Sequence, residues 1–233
     1  MGMKEIKSYG DLQQAFVDAA EEKYREFAQK LTPSGRLFVG VRIPVVRRIV
    51  NRVPRRCYED FLKVKPVTIE EVLARGMMIG KLPYEEMLKW FDSQVEYIDD
   101  WSTCDIFCAG LKKTIVRHRE EFLDLKVEPL LRAKDEFAVR VGLVILKCAY
   151  VEEKYLNLIF ERVESLACRG EYYVKMAIAW LLSECFINYP SATTGYLVDS
   201  GLPEWTFNKT IAKICDSYRV DAETKKMLKK MRK

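Results

Sequence analysis

Three observations predict an all-α chain, arranged as an α-solenoid of helical repeats in one domain over residues 1–233. Apolar residues recur at three- and four-residue spacing almost throughout, the pattern of helices that are greasy on one face. Period-two alternation never extends beyond a few residues, which leaves no strand to expect. Two segments also resemble each other: "EFAVRVGLVILKCAYV" from Glu136 and "EYYVKMAIAWLLSECFI" from Glu171 align without a gap at an offset of 35. A period in that range is the mark of helical hairpins stacked side by side.

Breaking and capping residues divide the elements in order. "LTPSGRLFVGVRIP" (31–44) ends the N-terminal helical segment, and "VKP" (64–66) and "KLP" (81–83) close the next two. A helix begins near Asp99 or Asp100, either of which can accept hydrogen bonds from its first turn. "RAKDE" (132–136), "CRGE" (168–171), "NYPS" (188–191) and "SGLP" (200–203) separate the remaining helices. The helices between these marks should run to roughly ten to eighteen residues, long enough to pack in pairs and too short for an extended coiled coil.

Composition bounds the function. With 49% apolar and 31% charged residues in 233, the chain can bury a substantial core. Lys and Arg exceed Asp and Glu by 39 to 34, a net charge of +5 that permits an anionic partner without requiring one. The terminal "ETKKMLKKMRK" reads either as a basic tail or as lysines complementing the carbonyl end of a helix. Seven scattered cysteines lie mostly within apolar helical runs and read as reduced core residues. Cys104 and Cys108 share a helical face, but the lone histidine, His118, is ten residues on and no CxxC occurs, so no metal site is expected. The N-terminal "MGMKEIKSYG" has neither an apolar signal core nor the hydroxyl residue of a myristoylation motif, and no run is long enough to span a bilayer. These features point to a cytoplasmic protein, with a monomer as the default.

Candidate functional residues start from "YIDDWSTCDIF" (97–107), where Trp101 and Asp105 stand four apart and so project from one helical face. An isolated Asp on an amphipathic helix is commonly an exposed polar residue. The flanks "CDIFCAG" are apolar, however, and a sheltered carboxylate needs a cation or a hydrogen-bond donor. One repeat later stands Arg140, within the apolar "FAVRVGLVIL", and one further Lys175. On the repeat model Asp105, Arg140 and Lys175 form a row. A buried Arg140 is explained equally by a salt bridge or by a ligand. Trp180, in "MAIAWLLSECF", reads on its own as a core residue.

Four segments carry a resemblance: "KYREFAQKLTP" with "GVRIPVVRRIV", "DDWSTCD", "EFAVRVGLVIL" and "YYVKMAIAWLLSECFINYP". In their order and spacing they resemble the AlkD-like family of DNA alkylation repair glycosylases, which are built of HEAT-like repeats. The resemblance covers nearly the whole chain. It implies a concave face in which Trp101, Asp105, Arg140 and Trp180 hold a damaged nucleotide of double-stranded DNA, with Lys175 alongside for DNA binding. The implied reaction is hydrolytic release of cationic N-alkylated purines such as 7-methylguanine and 3-methyladenine, without cofactor or metal, by a monofunctional enzyme that leaves the strand intact. Asp105, Trp101 and Trp180 are the implied catalytic residues, and Arg140 and Lys175 the implied DNA contacts. The chain departs from the family pattern at Met176 and Ser183, where basic residues are frequent, and at Ser102, which replaces a frequent acid. Loss of basic residues weakens duplex binding more than it alters chemistry. A HEAT-like scaffold that binds protein or nucleic acid without catalysis is the alternative.

Overall fold

The computed structural model describes residues 5–233, so Gly2 and its neighbours in the myristoylation test lie outside it. Among the described residues the regular structure is helical, with one isolated bridge between Leu37 and Thr68. The chain forms two compact units, one ending at Thr114 and the other comprising Ile115–Lys233. None of the described helices is long and apolar enough to cross a membrane.

The first unit contains α1 (Tyr9–Asp18), α2 (Glu22–Gln29), α3 (Ile43–Val50), α4 (Tyr58–Lys63), α5 (Ile69–Ile79), α6 (Tyr84–Val95) and α7 (Trp101–Ile115), whose last residue falls beyond the unit. Reciprocal caps start two of them: Ser8 with Asp11 at α1, and Thr68 with Glu71 at α5. Helix α5 is buried along its whole length, against α3, α4 and α6. Its charged side chains are therefore accounted for internally. The Glu70 carboxylate accepts the backbone N–H groups of Val39, Gly40 and Val41, and Arg75 donates to Gln94, Ser93 and the Leu62 carbonyl. Three successive amides wrapped around one carboxylate form an anion nest. It fastens the segment between α2 and α3 onto α5, at Gly40, whose φ of 101° favours glycine. Helices α5 and α7 approach so closely that a Cβ on Gly80 would lie 3.2 Å from the Gly110 backbone.

The second unit contains α8 (Arg119–Phe122), α9 (Glu128–Leu131), α10 (Glu136–Ala149), α11 (Leu156–Leu166), α12 (Tyr172–Asn188), α13 (Pro190–Asp199), α14 (Glu204–Asp216) and α15 (Ala222–Lys230). Helices α10, α12 and α14 pack in succession, with α9, α13 and α15 against them in turn. Side-chain hydrogen bonds tie each hairpin to the next at separations of 32 to 37 residues: Arg119 to Glu152, Tyr155 to Glu120, Arg162 to Glu128, Arg169 to Ala133, Tyr173 to Glu136 and Tyr196 to Glu164. Contacts confined to the neighbouring repeat are what a helical repeat array requires. The all-α expectation holds.

Two features differ from the sequence reading. A break after Ile115 occurs without glycine or proline, and α8 and α9 are four-residue pieces joined by a π-helical turn, Leu123–Val127. The helical register also shifts. Asp135 and Glu171 are the N-caps of α10 and α12, with nearly identical backbone angles, and lie 36 residues apart rather than 35. Met176 therefore occupies in α12 the position of Arg140 in α10, and Lys175 points about 100° around the helix from it.

Candidate active site

Asp100 starts α7. Its Oδ1 accepts the Ser102 N–H at 2.7 Å, the Thr103 N–H at 3.3 Å and the Ser102 hydroxyl, and its Oδ2 accepts the Thr32 hydroxyl. Of the two acids the sequence offered, Asp100 is the cap; Asp99 instead pairs with Arg36 at 3.1 Å. The cap sets the orientation of everything that follows on the helix. Cys104, Phe107, Cys108 and Leu111 are buried in the core, with Phe107 against Phe91 at 5.6 Å. Trp101 and Asp105 share another face: the indole is 39% exposed and the Asp105 carboxylate is half-buried. The indole N–H donates to the Leu31 carbonyl at 3.1 Å, so the ring is held by the segment before α3. Sequence reasoning had no signal for that anchor, because the two residues are 70 positions apart.

Beneath Trp101 lies a cavity of about 130 Å³. Its walls include Tyr24, Phe27, Phe38 and Trp101, and Asp100 closes one side.

In the second unit Arg140 is only 5% exposed. It donates through Nη1 to the Tyr173 carbonyl at 3.2 Å and lies 5.8 Å from the Tyr173 ring centroid. Tyr173 in turn packs on Phe137 at 5.0 Å, and its N–H is capped by Glu136 at 2.6 Å. Arg140 is thus fixed by the first turn of α12. Trp180 is half-buried, and the Lys147 ammonium stands 3.4 Å from its ring centroid. Lys147 was missed in the sequence, although it lies seven residues beyond Arg140, on the same face of α10. Lys175 serves a different ring: its ammonium is 4.8 Å from the centroid of Trp205, which is 41% exposed and is met edge-on by Tyr172 at 5.8 Å. Trp205 was not singled out either; it is the second residue of α14, as Tyr173 is of α12.

The departures acquire a physical reading. Ser183 is buried and donates to the Trp180 carbonyl at 2.8 Å, so this position does not present a surface cation. Positive charge beside Trp180 comes from Lys147 instead. Ser102 is part of the cap on Asp100. Among the described residues no group of three or more His, Cys, Asp or Glu side chains could hold a metal ion.

Each unit is built of packed helices; the candidate residues are Trp101 and Asp105 in the first and Arg140, Lys147, Lys175 and Trp180 in the second. A family model described as DNA alkylation repair enzyme matches residues 12–214, and the chain belongs to that family. No curated protein gives a significant match.

Proposed function

We propose that the protein is a monofunctional DNA glycosylase that hydrolyses the glycosidic bond of cationic N-alkylated purines, such as 7-methylguanine and 3-methyladenine, in duplex DNA. Membership of the DNA alkylation repair family supports a repair role. The observation that carries the finer reading is the pairing on α7 of a half-exposed indole with a half-buried carboxylate one turn on.

Alkylation of a ring nitrogen makes the purine a good leaving group, so the enzyme has no need of a strong acid to protonate it. As the bond breaks, positive charge develops on the deoxyribose. Asp105 is the group that steadies this charge and orients the attacking water, and its value comes from being fixed in place beforehand. The indoles of Trp101 and Trp180 offer electron-rich faces to a cationic nucleotide. Arg140 and Lys175 contribute positive charge toward phosphates. The reaction requires no metal or other cofactor, and no lysine is assigned as a Schiff-base nucleophile, so the strand remains uncut.

Release of 7-methylguanine from methylated duplex DNA tests this reading. Asp105→Asn should reduce single-turnover release by about 100- to 1,000-fold while leaving duplex affinity within a few-fold. A variant as active as the parent removes Asp105 from the chemistry. A second reading, a repeat scaffold without catalysis, is favoured by one observation: the neutral Met176 stands where the preceding repeat has Arg140. It predicts that the parent releases no base at all.

A further inference from the structure

We infer that the cavity beneath Trp101 is a binding site for a quaternary ammonium head group. Three observations carry this. The first is a charge only partly compensated. Asp100 is 1% exposed, and among the described residues its carboxylate is met by two backbone amides and two hydroxyls, with no cation. The surrounding cations are committed elsewhere: Arg36 to Asp99, Arg25 to Glu22, and Arg42 to Glu21 through three hydrogen bonds while it stacks on Tyr24 at 4.7 Å. Among the described residues Glu70, buried under the same loop, is likewise met by backbone amides. The amides and the N-terminus of α7 offset part of the negative charge on Asp100, and a cation entering the space beside it is stabilised by what remains.

The second observation is the nature of the walls. Tyr24, Phe27, Phe38 and Trp101 line the cavity, and the faces of aromatic rings attract cations. Burial raises the Tyr24 phenol above its ordinary range, and against the lowering effect of Arg42 the carboxylates of Glu70, Glu21 and Asp100 act in the same upward direction. The negative groups therefore act on the ring that lines the site.

The third observation selects the class of cation. The Asp100 carboxylate already receives four donors, three at Oδ1 and one at Oδ2, which leaves about one acceptor site, on Oδ2. A metal ion or a primary ammonium, which needs several acceptors in place of its water shell, finds too few among the mostly apolar walls. The suitable ligand carries its charge on a nitrogen without N–H groups, is apolar at its periphery and is small. A cavity of about 130 Å³ is close to the roughly 150 Å³ that accommodates one benzene molecule. A trimethylammonium group meets all three requirements. It can come from a free small molecule or from a trimethylated lysine side chain. The inference does not depend on glycosylase activity.

The test is calorimetric titration of the full-length protein at constant ionic strength with tetramethylammonium, choline and a short peptide carrying one trimethyllysine, beside 3,3-dimethylbutan-1-ol, the neutral isostere of choline. Choline should bind at least about tenfold more tightly than its isostere and should perturb Trp101 fluorescence. Preference for choline or for the peptide identifies the source of the head group. Phe27 is 60% exposed, so Phe27→Leu removes a ring without emptying the core. It should weaken choline binding several-fold at unchanged melting temperature, and Asp100→Asn, where it folds, should abolish the preference for the charged ligand. Equal binding of choline and its isostere, the absence of any choline heat with the folded parent, or undiminished binding by Phe27→Leu overturns the inference.

Discussion

At Gly40 the backbone adopts φ 101°, and an added Cβ would lie 2.8 Å from the Cβ of Arg25 and 2.9 Å from the Glu21 carbonyl oxygen. Alanine there meets both backbone strain and a clash. Gly40→Ala should lower the unfolding free energy by about 1–3 kcal/mol, read as a shift of the urea midpoint without a change in slope. The cysteines provide a second check on single residues. Burial, reinforced by Glu184, pushes the Cys185 thiol up to about 12, whereas Cys168 is exposed. In native protein at pH 8, Cys168 should react promptly with Ellman's reagent and Cys185 only after denaturation, because the thiolate is the reacting species. Rapid modification of Cys185 under native conditions would show that α12 is not packed as described.

Between elements, the α10–α12 pair shows how adjacent repeats are held. Arg169 donates to the carbonyls of Ala133 and Lys134 at 2.9 and 3.0 Å and to Glu171, the N-cap of α12. Arg169→Ala should cost about 2 kcal/mol, since hydrogen bonds from a charged donor are among the stronger ones. The hydrogen bond from Arg169 holds the Glu171 carboxyl below its ordinary range. A depressed folded-state pKa contributes stability that is complete above the unfolded value of about 4.3 and is lost as the pH falls from there through the folded value. The gap in urea midpoint between parent and Arg169→Ala should therefore be constant near neutrality and narrow below that pH. The same pair shows why the sequence register was one residue short. Glu136 and Glu171 align as residues but do different work: Glu171 precedes its helix, while Glu136 is already helical and caps the next one through the Tyr173 N–H. Side-chain identity shows in the sequence; the backbone angle that starts a helix does not.

On the scale of the whole molecule, the pairing of a modest net charge of +5 with cations placed on rings makes salt dependence informative. If Lys147 and Lys175 each neutralise one phosphate, replacing both with Met should flatten the plot of log affinity for duplex DNA against log salt by about 1.8. An unchanged slope would place both outside the DNA interface. Helical periodicity, the α10–α12 similarity and the Trp101–Asp105 face were all legible in the sequence, because each is local or periodic. The Lys147–Trp180 and Lys175–Trp205 pairs were not, since their partners are chosen by the distance between helices. Nor was the bond from Trp101 to Leu31 or that from Thr32 to Asp100, which span about two repeats where most ties span one. Those two links have a consequence for how the first unit opens. In a string of hairpins held only to their neighbours, native-state hydrogen exchange is graded along the chain. Here the amides of Val39, Gly40 and Val41, locked to Glu70, and those of Ser102 and Thr103, locked to Asp100, should be released together, as one cooperative step, despite the 60-odd residues between them.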